Sequence, residues 1–359
     1  VQTCGNFVTE NVYRYQEGDR HLEKHNEQTN LAESVNTWYQ ACNTVSEQLI
    51  RSIPESYRTR TFAGIIGDIK VLSSKKALAL ISRKKGLGTQ YAALYLTTGI
   101  DEGKGYQACA SEALASVLGK RTAKIITGHI LDIGCAVGVT AGILSLEHVI
   151  GFDLFIDLVR TARSIDDVTG RRNRYLVADM TKEWPFQSSF DTVVCGLVGH
   201  HLKTQRDCVS FFSEANRVLK PSGSLVLTLP SGTLATTSNL LDIVNALEHF
   251  GFRIDREQTG LVLSQDSAHS LFWMFLIIAK KNSSDTDTVF VQPDFAFPAF
   301  KIPVPRKKKG ERVKKTRHSA RRIRHTQFAL VTLTEMEQKF PETMLDYSTI
   351  VTFSQERTR

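Results

Sequence analysis

From Thr29 the chain changes texture: Leu31, Val35, Trp38, Cys42, Val45 and Leu49 recur at alternating steps of four and three. That spacing places them on one face of a helix. Asn30 with Glu33 three residues later resembles a capping arrangement, and Pro54 follows the end of the pattern. Residues 1–28 are polar and show no clean period, while further helical patterns run over 61–84, stopped by Gly86, and over 88–98. A small helical N-terminal region or cap over residues 1–104 is the reading, and nothing in it carries a chemical motif. Tyr106–Leu118 reads as a short helix rich in alanine (Ala108, Ala110, Ala113, Ala115) and ended by Gly119.

Beyond it, short apolar runs alternate with helical ones. Ile130–Ile133 reads as a strand and Gly134–Gly138 as a glycine-bearing turn. Thr140–Leu146 starts a helix, His148–Phe152 is a strand, Phe155–Ser164 is helical, and Tyr175–Val177 and Asp191–Leu197 are strands. Val209–Leu219 is a helix that stops at Lys220-Pro221-Ser222-Gly223; Ser224–Leu229 (strand), Asn239–Phe250 (helix) and Leu271–Ala279 (strand) follow. Strands separated by helices of this length predict an α/β, Rossmann-like, doubly wound parallel sheet over 105–281. Residues 282–359 read as a linker, a basic segment and a C-terminal tail, in which Gln327–Thr334 is a further strand candidate.

Composition changes this picture in one place. The net charge of +8 is not spread evenly, because residues 301–325 hold 12 Lys or Arg and one Glu. The rest of the chain, with 33 basic and 36 acidic residues, carries a net of −3. The six cysteines (Cys4, Cys42, Cys109, Cys135, Cys195, Cys208) show no CxxC spacing, which argues against a zinc site and a disulfide framework. They suit a reducing compartment, so a cytoplasmic location is expected. No apolar run approaches the length of about 20 residues that spans a bilayer, and no secretory signal pattern opens the sequence.

The turn Asp132-Ile133-Gly134-Cys135-Ala136-Val137-Gly138 joins a strand to a helix, where glycines let backbone approach a ligand and the helix start attracts its negative charge. Two details separate it from a dinucleotide site. The spacing GxGxxG requires glycine at 139, where the chain has Val139. Asp132, inside the turn, would repel a pyrophosphate and suits a ligand with a cationic amino group. Asp153 ends the second strand 19 residues after Gly134, placed to accept from both ribose hydroxyls of an adenosine ligand.

Further on, the chain resembles the class I S-adenosylmethionine-dependent methyltransferases, with signatures of their metabolite-directed members. The matching stretches are LDIGCAVG (131–138), VIGFDL (149–154), VADM (177–180), WPFQSSFDTVVC (184–195) and FFSEANRVLKPSGSLVLTLP (211–230), in the family's order and spacing. The resemblance implies a seven-stranded sheet, S-adenosyl-L-methionine as cofactor and methylation as the activity. It further implies that Asp132, Gly134, Ala136 and Gly138 surround the methionine end, and that Asp153 and Leu154 hold the ribose and flank the adenine. Asp179 accepts from the adenine amino group with Met180 beside it, and Cys195 with Gly196 lies beneath the cofactor. One position departs from the family pattern: the middle glycine of GxGxG is Ala136. Asp191 reads as the structural start of a strand.

Methyl transfer is an in-line displacement at a carbon already activated by a sulfonium, so holding the nucleophile in line supplies much of the catalysis. A general base is needed only where the acceptor must lose a proton. The catalytic candidates are His200 and His201, just past the fourth strand, since an imidazole with a pKa of about 6.5 accepts a proton near neutrality. The competing reading is that the pair caps the next helix or packs under the loop. The [DN]PP[YF] signature of exocyclic-amine methylation is absent, because Cys195-Gly196-Leu197-Val198 stands in its place, and Cys195 lacks the preceding proline of cytosine-C5 enzymes. No carboxylates stand near the His pair at ligand spacing, so no metal is expected.

Three functions stay open. A small-molecule methyltransferase, moving the methyl to an O or N acceptor, is favoured by the FDTVVCGLVGHHL stretch and the near-neutral body. An RNA- or ribosome-directed enzyme would dock through residues 301–325, whose clusters (Arg306–Lys309, Lys314-Lys315, Arg321-Arg322 with Arg324) also fit a two-part nuclear localisation signal or a solubilising tail. A non-catalytic binding protein on the same fold is the third.

Overall fold

In the computed structural model, the structure describes residues 23–53, 88–89, 92–93, 96, 125–202, 204–230, 237–265, 271–283 and 328–339. The helical patterns predicted at 61–84 and 106–118 and the basic segment 301–325 lie outside the described residues, as does most of the pattern at 88–98. The elements in chain order are α1 (Glu23–Ser52), β1 (Ile130–Ile133), α2 (Val139–Ile143), β2 (Val149–Asp153), α3 (Ile156–Thr169), β3 (Arg174–Val177), β4 (Phe190–Gly196), a 3-10 turn (Gly199–His201), α4 (Gln205–Val218) and β5 (Leu219–Pro230). After these come α5 (Thr237–His249), β6 (Phe252–Ile254), β7 (Gly260–Gln265), β8 (Leu271–Lys281), β9 (Phe328–Thr332) and α6 (Leu333–Lys339).

One sheet runs β3-β2-β1-β4-β5-β8-β7-β9, with β6 also paired to β8. The strands β1 to β5 are parallel, and β8 lies antiparallel between β5 and β7. The strand order reverses between β1 and β4, which opens a crevice at the carboxyl edge of the sheet. Alternation along the strands separates two cores. Leu131, Ile133, Val193, Cys195, Leu225 and Leu227 face α4 and α5 in one core, and Ile130, Val194, Val226 and Ile278 join the other. Trp38, Cys42 and Val45 of the predicted α1 face are buried, and Leu49 is partly buried against the same cluster. No helix among the described residues is long and apolar enough to cross a membrane.

Among the described residues the sheet has nine strand segments where seven were expected. Two causes account for the excess. The strand that precedes β8 is broken at Asp255–Thr259, where Asp255 N donates to Ile278 O (2.9 Å) and Ile278 N donates to Thr259 Oγ1 (3.0 Å). These bonds satisfy the backbone of β8 while the chain bulges away, so β6 and β7 are two halves of one strand. The other addition, β9, pairs antiparallel with β7 and covers what would otherwise be an open edge. Its approach is close: a Cβ on Gly260 would lie 2.0 Å from Val331 O. The Lys220–Gly223 turn is also absorbed into β5, as an irregular start at which Ser222 takes φ 62° and the register shifts between Phe190 and Thr192.

Residues 328–339 therefore belong to the folded body, as edge strand β9 and the docked helix α6. Leu333 and Met336 are completely buried, Leu333 N donates to Thr259 O (2.6 Å), and Arg256 pairs with Glu337. Leu333→Ala is expected to cost about 2–5 kcal/mol of unfolding free energy, because it opens a cavity in a packed core. Urea denaturation followed by tryptophan fluorescence measures it. A loss below about 0.5 kcal/mol would show that α6 does not dock.

Candidate functional site

The turn after β1 is held by backbone bonds to the neighbouring strand. Gly134 N and Cys135 N both donate to Phe152 O (2.8 and 3.0 Å), and Gly138 N donates to Cys135 O (2.8 Å). To turn that sharply the chain uses left-handed backbone at Gly134 (φ 65°), Ala136 (φ 48°) and Gly138 (φ 74°). Glycine takes this region freely and alanine does not. Gly134 is also sterically required, since a Cβ there would lie 2.4 Å from Val198 Cγ2. That contact seats the turn carrying the His pair directly against the glycine loop.

Asp132 and Asp153 close the carboxyl ends of β1 and β2. Both are buried, at 2 % and 9 % exposure. Asp153 is the better satisfied: Oδ2 accepts from Ala136 N (3.1 Å) and Oδ1 from Phe155 N (3.0 Å). Its carboxylate thus ties the loop to the start of α3, a second role beside the expected ribose contact. Burial pushes its pKa up to about 6 against the pull of these bonds. Asp132 Oδ2 is buried with no hydrogen-bond partner. Burial first, and the Asp153 charge second, push its pKa up to about 8. An acid enclosed without a partner is costly unless a cation arrives to pair with it. The ammonium of a methionine moiety meets that need, so the residues fit S-adenosylmethionine.

The remaining candidates gather at the same edge. Leu154 is half-buried after β2, and Ala178 N donates to Asp153 O (3.1 Å), which brings the segment holding Asp179 and Met180 beside it. Asp179 Oδ1 accepts from Thr181 N and Oγ1 (2.9 and 2.8 Å), and Met180 O accepts from Trp184 Nε1 (3.2 Å). Cys195 differs in kind. Its thiol is fully enclosed in the core with Ile133 and Leu227, and burial pushes its pKa up to about 12, so only its backbone is available to a ligand. His200 is half-buried, His201 is exposed, and their ring centres lie 4.0 Å apart on the 3-10 turn after β4. Asp191 sits at the opposite end of β4, paired with Lys220 Nζ (2.8 Å) and accepting from His129 N (2.8 Å), a structural clamp. Among the described residues, no three His, Cys, Asp or Glu are grouped to hold a metal ion.

A second group of residues, unforeseen from sequence, stands behind the loop. Tyr175 Oη donates to Asp166 Oδ2 (3.1 Å) beneath Gly138, whose Cβ would lie 2.9 Å from that hydroxyl. Trp38 of α1 lies against Gly142 of α2, where a Cβ would come within 1.9 Å of its Cδ1. A glycine inside so short an apolar helix is the signal that could have pointed to a bulky neighbour.

Part of the chain is similar to known proteins. Residues 131–227 match the family model described as a methyltransferase domain. Among solved structures, the chain is similar to a TehB-like S-adenosylmethionine-dependent methyltransferase from Corynebacterium glutamicum, at 18% identity over 55% of this chain and 100% of that one, with a TM-score of 0.40. It is also similar to an S-adenosylmethionine-dependent methyltransferase from Clostridium acetobutylicum, at 12% identity over 50% of this chain and 92% of that one, with a TM-score of 0.38. A search of curated protein sequences finds no match.

Proposed function

For a chain whose residues 131–227 match a family model described as a methyltransferase domain, we propose a class I S-adenosylmethionine-dependent enzyme that moves a methyl group from the sulfonium of S-adenosyl-L-methionine to an O or N acceptor on a small molecule. One observation carries the reading: a buried, unpartnered carboxylate oxygen on Asp132 inside a glycine turn at the switch point of the sheet. The cofactor, when bound, supplies an activated methyl group. The chain's residues bind and orient. Asp132 pairs with the ammonium, Asp153 and Leu154 hold the adenosine end, and Asp179 and Met180 border the adenine. His200 or His201 orients the acceptor or takes its proton at an imidazole nitrogen. The near-neutral charge outside 301–325 supports a small acceptor over a polyanion.

A second reading, an RNA- or ribosome-directed enzyme, is favoured by one feature of the topology. β9 begins at Phe328, opposite Ser264, and Gly260 shares a row with Thr332 and, across β8, with Thr228 and Gly196. Phe328 therefore stands at the carboxyl edge of the sheet, the edge of Asp132 and Asp153. The basic segment 301–325 precedes this strand in the sequence.

Measuring S-adenosylhomocysteine release tests both readings, on the full chain and on a chain with 301–325 excised and 328–339 kept. Small-metabolite fractions are expected to stimulate release from both proteins. Stimulation by RNA alone, lost on excision, would replace the first reading by the second. No stimulation by either would overturn both.

A further inference from the structure

The helix α1 lies outside the segment that matches the methyltransferase domain, yet it packs against α2 and shares a buried cluster with the cofactor loop. Trp38, Ala41, Cys42 and Val45 share one buried cluster with Ala136 and Val137 of the loop and with Val139 and Ile143 of α2. Ala136 is the loop's one residue with a side chain forced into left-handed backbone, at φ 48°, and its methyl is 3 % exposed within that cluster. Left-handed backbone crowds a Cβ against the neighbouring carbonyl, so alanine leaves it unless its surroundings hold it there. The surroundings here are a cluster that α1 shares with Leu158 and Ile165 of α3 and with Ala92 and Leu96. The Trp38 indole of α1 lies over Gly142, and Arg171 Nη2 donates to Gly142 O (3.1 Å), which fixes the helix that begins at Gly138.

We propose that Trp38 is a positioning residue for cofactor binding: it braces α2 and so holds Ala136 in the left-handed conformation that the cofactor loop requires. The departure from glycine at 136 and the helix supplied by this chain's own N-terminal region are then two halves of one device. With glycine at 136 the conformation costs little and the brace is dispensable; with alanine it is not. The inference rests on the proposed cofactor role of the loop.

A double-mutant cycle tests it on the full chain, with S-adenosylhomocysteine affinity read by calorimetry and melting temperature read in parallel. Trp38→Ala is expected to weaken binding about tenfold, a coupling of the size that contacting residues show. Ala136→Gly alone is expected to stay within about threefold of wild type. In the Ala136→Gly background, Trp38→Ala is expected to cost less than about threefold, although the melting temperature falls by the same amount in both backgrounds. A purely structural Trp38 would weaken binding by the same factor in both, and that result overturns the proposal.

If Trp38→Ala does not fold, Trp38→Phe and Gly142→Ala carry the test. The phenyl ring is expected to keep affinity within about threefold, and the methyl at 142, which collides with Trp38, to weaken it by about tenfold. Equal, unperturbed affinity in both variants would overturn the proposal. Absence of binding by the wild-type protein overturns the cofactor reading itself, whereas wild-type binding with additive losses overturns only the role of Trp38.

Discussion

Asp132→Asn is expected to weaken S-adenosylhomocysteine binding about a hundredfold while raising the melting temperature of the ligand-free protein at pH 8. The two effects have one cause. The Asp132 carboxyl is 2 % exposed and its Oδ2 has no hydrogen-bond partner, so its charge is carried at a cost in the empty protein. Asparagine has nearly the same shape without the charge, which relieves the cost and removes the partner of the ligand's ammonium. A charge-assisted bond lost in a buried site costs about 1.5–3 kcal/mol, which is about ten- to a hundredfold in affinity. Asp132 stands at the upper end because nothing else offsets its charge.

The same group sets a pH dependence. Its folded pKa of about 8 lies above the ordinary carboxylate value, so the folded protein holds the proton more tightly than the unfolded chain does. Stability from this group is therefore complete below about pH 4 and is lost as pH rises to about 8. Affinity runs the other way. Cation binding requires the ionised form, so S-adenosylhomocysteine binds more weakly at pH 6.5 than at pH 8.5 and releases a proton as it binds. Asp132→Asn flattens both profiles.

Asp153→Ala moves stability in the opposite direction. Both oxygens of this carboxylate accept backbone N–H groups, from Ala136 and Phe155. Truncation removes the Asp153 acceptor from both, and a buried donor that loses its acceptor costs about 1–3 kcal/mol. Thermal and urea unfolding are expected to show a loss of about 2–4 kcal/mol, discounted because Phe155 is half-buried. Binding falls about a hundredfold or more, since the loop loses its tie and the ribose its acceptor. Asp153→Asn keeps one carbonyl acceptor and falls between. A melting temperature that rises in Asp153→Ala as it does in Asp132→Asn would refute the distinction between the two acids.

The loop and the strands around it were legible because local rules govern them. Glycines at 134 and 138 announce left-handed backbone, and the runs at 130–133 and 190–196 are apolar enough to be read as buried parallel strands. What the sequence hid depends on contacts between distant segments. The break at Asp255–Thr259 is held by Thr259 bonding Ile278, a pairing that no local pattern encodes. β9 was readable as a strand candidate, but its partner β7 and its place at the end of the sheet follow only from tertiary packing. The capping box of Thr204 and Asp207 starts α4 four residues before the predicted Val209, because polar residues open a helix whose apolar face begins later. At the site, chemistry could be assigned to Asp153 but not its second task of tying the loop, and Trp38 gave no sign of packing on Gly142. Cys195 could be placed at a strand end, but which face its thiol took depended on register.

Calorimetric titration of the full chain with S-adenosylhomocysteine at pH 6.5 and pH 8.5 is the most direct measurement. Saturable binding at one site, at least about tenfold tighter at pH 8.5 and accompanied by proton release, is the predicted result. Absence of binding heat at both pH values, from protein that melts cooperatively, would contradict the assignment of Asp132–Gly138 as a cofactor loop.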